Sequence, residues 1–72
     1  MRNAEREKIK ILLNHWIEHN KEHSQEFRER AEKAKGLGEV EVCDDILEAA
    51  QELDKANEAL LRALRTLEGK GG

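Results

Sequence analysis

Ala34-Lys35-Gly36-Leu37-Gly38-Glu39-Val40 is the stretch that decides the fold. On both sides of it apolar residues recur every three or four positions, as they do along one face of a helix. Within it two glycines interrupt the pattern. Glycine just beyond Lys33 and Lys35 is the chemistry that ends a helix. The backbone can turn left-handed where a side chain would clash, and the two cations sit near the negative end of the helix dipole. So short a connection folds a second helix back antiparallel on the first. The expectation is an all-α chain, an antiparallel two-helix hairpin forming a single domain over residues 1–72. It has a helix over about 4–35, a turn at 36–38, a second helix over about 39–67 and a flexible tail at 69–72.

Backwards from the turn, Ile9, Leu13, Trp16, Asn20, His23, Phe27, Arg30 and Ala34 step by three and four and form the expected seam of the first helix. Ile11, Leu12 and Ile17 widen its apolar face beyond what one partner helix covers, which points to a second contact surface. Forwards, the seam is Cys43, Ile46, Ala50, Leu53, Asn57, Leu60, Leu64 and Leu67. Ala49, Ala56 and Ala63 repeat along one flank, where small side chains admit another helix. The second helix starts either at Glu39 or at a capping box on Asp45 and Glu48. Glu39 is favoured because no turn residue follows Gly38. In a hairpin closed near Leu37, residue numbers of facing partners add to the mid-seventies. His23 then faces Ala50 or Leu53, Trp16 faces Asn57 or Leu60, and His19 lies beside Ala56.

At 72 residues, two in five of them charged, the chain is near the size at which a lone core is marginal and a metal, a disulfide or a partner supplies the remainder. Cys43 is the single cysteine, which leaves metal or oligomer and fits a reducing, cytoplasmic compartment. It reads as a small buried hydrophobe. The net charge of −3 and the interleaving of bases with acids exclude a nucleic-acid surface. The longest apolar run, Ile11-Leu12-Leu13, is far too short to span a membrane, and residues 1–5 lack the apolar core of a signal peptide. A soluble homodimer pairing into a four-helix bundle is expected, with no nucleic-acid, membrane or small-molecule partner.

All three histidines fall in His15-Trp16-Ile17-Glu18-His19-Asn20-Lys21-Glu22-His23, each four residues after the last. On a helix they form a ladder along one side. Two imidazoles one turn apart can share an ion, because metal–nitrogen bonds of about 2.0–2.1 Å demand ligands only a few Å apart. His15 and His23 are separated by a rise of about 12 Å, so one straight helix cannot bring all three to one ion. The expectation is a transition-metal site built from His15, His19 and His23, with Glu22 and Glu26 the nearest carboxylates. The imidazole set suits Ni, Zn or Cu without choosing among them. The alternative is a metal-free helical dimerisation module. His15-Trp16-Ile17-Glu18-His19 also matches the H-x-x-E-H signature of inverted zinc peptidases. Those enzymes need a distant third ligand and a cleft, for which this chain has no room, so no enzyme is expected. Asn20 stands where a di-iron bundle would carry the Glu before His23. Asn20 and Asn57 lie on the seams, where a buried Asn sets register, or else orients an imidazole. Trp16 reads as core.

The H-W-x-E-H-N-x-x-H run, followed by Glu26-Phe27-Arg28 and then by the Gly turn and a Leu/Ala-rich helix, resembles a small helical His-rich domain found as the C-terminal extension of some nickel-binding proteins of the CooT family. The resemblance covers nearly the whole chain. It implies metal handling through His15, His19 and His23, with nickel among the candidate ions. The β-rich portion that carries nickel in that family has no counterpart among these residues.

Overall fold

A computed structural model describes residues 2–71, with side chains described for 3–69. Helix α1 spans Arg2–Gly36 and helix α2 spans Val40–Gly71, and the two lie against each other along their length. The Cα trace is a rod of 54 × 15 × 13 Å with a radius of gyration of 16.4 Å. A compact chain of this length would have about 11 Å. Among the described residues no helix is long and apolar enough to cross a membrane.

The turn satisfies the last carbonyls of α1 in a paired pattern. The Glu39 N–H donates to the Ala34 carbonyl at 2.9 Å and the Gly38 N–H to the Lys35 carbonyl at 3.0 Å. This six-to-one and five-to-two pair defines a Schellman cap. Gly38 is the residue it puts at positive φ, +87°, while Gly36 is still helical. Glu39 then begins the next helix by accepting from the Cys43 N–H at 3.0 Å. At the far end α2 continues to Gly71 instead of giving way to a flexible tail at 69. Gly69 adopts no positive φ, and helical backbone bonding does not depend on its missing side chain. Gly72 lies outside the described residues.

The α2 seam is the one expected: Cys43 and Ala50 are buried, and Ile46, Leu53, Asn57, Leu60, Leu64 and Leu67 are half-buried, with Leu47 beside them. The α1 seam is rotated from the expected one. Leu13, Asn20, Phe27 and Ala34 do face α2, but they alternate with Lys10, Ile17, Ser24 and Ala31, while Ile9, Trp16 and Arg30 are exposed and His23 is half-buried at the edge. Trp16 is 44% exposed and Ile9 49%, whereas Ser24 and Ala31 are buried. The reason is steric. Small side chains at 24 and 31 let α1 approach the small Ala50, and the Ser24 hydroxyl is satisfied by Asp54 Oδ1 at 2.7 Å. An indole at the same level would hold the helices apart.

Polar residues fix the slide between the helices. Asn20 Nδ2 donates to Asn57 Oδ1 at 3.1 Å, and Asn57 Nδ2 donates to the Ile17 carbonyl at 3.0 Å. Both amides are thus used within the hairpin, and neither is hydrogen-bonded to an imidazole. Arg28 pairs with Asp54, and Lys10 with Glu68 at 3.9 Å. The side-chain pairs Asn20–Asn57, Ser24–Asp54 and Lys10–Glu68 add to 77 or 78, and the longer Arg28 reaches Asp54 from one turn further along α1.

Burial is thin. Among the described residues the buried apolar ones are Leu13, Ala31, Cys43 and Ala50, and no large side chain is fully buried. What the rotation leaves outside is one apolar flank. Ile9, Leu13, Ala63 and Leu67 line a groove near one end of the rod, and Phe27, Val42, Ile46 and Ala49 line another towards the turn.

Candidate metal centre

The ladder forms because nothing interrupts α1 between Ile9 and Ala34: no proline, no glycine and no positive φ. Four residues advance the helix by about 6 Å and just over one full turn, so successive histidines slip sideways as they climb. His15 points furthest from α2, His19 is next, and His23 is half-buried on the flank beside Phe27, with ring centroids 6.2 Å apart.

The two steps of the ladder differ. His15 and His19 lie nearly parallel, with ring centroids 5.8 Å apart and 12° between planes. His19 and His23 meet edge to face, with centroids 4.4 Å apart and planes at 89°. Two imidazoles on one tetrahedral ion place their ring centres roughly 5 Å apart, given metal–nitrogen bonds of about 2.0–2.1 Å. Both steps lie within about 1 Å of that figure, and the His19–His23 step is the one in which the rings touch, edge to face. His15 is a turn removed.

Around that step the surface is open and acidic, and α1 alone supplies it: His19, Glu22, His23, Gln25, Glu26 and Glu29. No alanine of α2 takes part, so the expected placement of His19 beside Ala56 does not hold. The cause is the same rotation of α1 that exposes Trp16. Glu26 Oε1 lies 3.5 Å from His23 Nδ1, where a carboxylate can orient the ring and leave Nε2 free to bind. Among the described residues no group of three His, Cys, Asp or Glu side chains is arranged to hold one metal ion. Cys43 is only 4% exposed and is far along the rod from the ladder. Glu18, the acid of the H-x-x-E-H match, is exposed on the helix surface.

The helical hairpin with its histidine ladder defines a small all-α domain, and comparison with known sequences gives it a family. The profile of a domain of unknown function, DUF8180, matches residues 9–67, and the chain belongs to that family. It is similar to a protein of Archaeoglobus fulgidus described only as uncharacterized, with 38% identity over 58 residues, covering 81% of this chain and 92% of the relative. No solved structure matches.

Proposed function

We propose that this chain is a transition-metal-binding helical protein whose ligands are His19 and His23, with His15 in a supporting position. The observation that carries the reading is the edge-to-face meeting of His19 and His23 at 4.4 Å with Glu26 behind His23. Three glutamates on the same surface attract a cation. Imidazole donors suit Zn, Ni and Cu, with copper favoured by affinity order alone. Within that range, the resemblance to the CooT-associated helical domain points to nickel.

The test is metal titration of the single variants with Ni, Zn and Cu at neutral pH. His19→Ala and His23→Ala each remove half of the edge-to-face pair and weaken binding at least tenfold, or about 1.4 kcal/mol. His15→Ala has the smallest effect. Three variants that bind like the wild type would reduce the ladder to a polar helix surface.

A second reading has its own observation. The exposed Ile9, Trp16 and Val42, together with the absence among the described residues of any fully buried large side chain, support a helical self-assembly module, two hairpins pairing into a four-helix bundle. Sedimentation at micromolar concentration should give twice the chain mass. A fully helical monomer there would rule the bundle out.

A further inference from the structure

One member of the histidine pair, His23, lies on the apolar flank, and His19 stands one turn along α1 and further from α2. His23 is seven residues from both Trp16 and Arg30, so the three share a flank. Arg30 lines the groove that contains Val42 and Ala49, and Ile9, seven residues before Trp16, lines the groove that contains Ala63. The pair thus sits between two apolar grooves. The accessible surface is 5817 Å², against about 4,600 Å² for a compact monomer of this mass. The excess, on the order of 1,200 Å², is more than the roughly 800 Å² that each partner contributes to a stable complex. A second copy of the chain is the occupant that fits, because the flank is self-complementary. Ala49 and Ala63 lie seven residues either side of Ala56, which is itself exposed. A two-fold axis through Ala56 lays Ala49 of one copy against Ala63 of the other.

That axis fixes what happens on α1. The Asn20–Asn57 rung, the one nearest the ladder, adds to 77, so Ala56 is level with position 21. With α1 running antiparallel to α1 of the second copy about that level, His19 stands level with His23 of the second copy, and His23 with its His19. Helices in contact lie about 8–10 Å apart, within reach of imidazoles from both sides. We infer that His19 and His23 of two copies together form a single four-imidazole site for a divalent zinc-, nickel- or copper-type cation, astride the two-fold axis of an antiparallel dimer. The inference rests on the metal reading above and supplies what one chain lacks. A single chain offers two neighbouring imidazoles, and a closed tetrahedral site takes four ligands.

Zinc titration with sedimentation equilibrium tests it. Wild type should bind one zinc per two chains, and zinc should tighten the dimer at least tenfold. Ala56→Arg puts a charge on the axis at an exposed position in a residue type that helices favour, and touches no histidine. Its helicity, checked by circular dichroism, should persist while the copies separate and zinc affinity falls at least tenfold. In a Cys43→Ala background, Ala56→Cys should oxidise to a symmetric cross-linked dimer that still holds one zinc per two chains. An Ala56→Arg monomer that binds zinc as wild type does, one per chain, overturns the shared site and leaves the metal reading standing. Failure of Ala56→Cys to cross-link overturns the register. No binding of zinc, nickel or copper by wild type overturns both readings.

Discussion

At the scale of single residues, Asp54 is the group whose ionisation the fold most clearly changes. The Ser24 hydroxyl donates to its carboxylate, Arg28 bonds and attracts it, and together they hold its pKa below the ordinary 3.8. A carboxylate with a depressed folded-state pKa contributes stability that is complete above its unfolded value. That contribution is lost as pH falls through the folded value. Asp54→Asn should therefore be less stable than wild type at pH 7 in urea unfolding, and the two midpoints should converge below about pH 4. A constant gap across that range would mean the carboxylate is not what matters. The Asn pair makes the opposite kind of case. Asn57 donates to the Ile17 carbonyl and accepts from Asn20, so Asn57→Ala leaves the half-buried Asn20 amide without its partner, while the Ile17 carbonyl keeps its helical bond. It should cost about 1–3 kcal/mol. Replacing both Asn20 and Asn57 by Leu removes most of that penalty and should restore stability while letting the helices slide. A double variant as unstable as Asn57→Ala would refute this.

At the scale of the element, two glycines separated by one residue should answer the same substitution with opposite signs. A Cβ built at either position meets nothing within 4 Å, so backbone conformation alone decides. Gly38 sits at φ +87°, where alanine costs about 1–2 kcal/mol. Gly36 is the last helical residue of α1, where alanine should stabilise by up to about 1 kcal/mol. Thermal melts of Gly36→Ala and Gly38→Ala check both, and equal shifts would contradict the cap. The turn and both helices were legible in sequence because Gly36, Gly38 and the long three-and-four periodicity are local signals. The facing of α1 was not legible from hydrophobicity. Trp16 and Ile9 are the larger apolar residues, yet the helix contact is built on Ser24 and Ala31, because closeness of approach and a hydroxyl partner on α2 outweigh apolar size. The ladder's spacing was plain from the histidine positions. That His19 and His23 meet edge to face while His15 and His19 stack depends on rotamers, which spacing does not encode.

At the scale of the whole molecule, thin burial and a long apolar flank make stability depend on neighbours. If two hairpins share that flank, the melting temperature rises with protein concentration, by about 3–6 °C per tenfold. A melting temperature that ignores concentration would leave each hairpin standing alone. The course of the chain has a mechanical consequence as well. The turn at Gly38 lies at one end of the rod, and the Lys10–Glu68 pair marks the approach to the other, where both ends of the chain emerge side by side. Tension applied between residues 2 and 71 therefore loads the cross-helix contacts one layer at a time. The helices should peel open like a zipper, Lys10–Glu68 first, the Asn20–Asn57 rung midway and the glycine turn last, at low and nearly constant force. Tension applied from one end of α1 to the opposite end of the rod on α2 would shear every layer at once and meet a far higher rupture force.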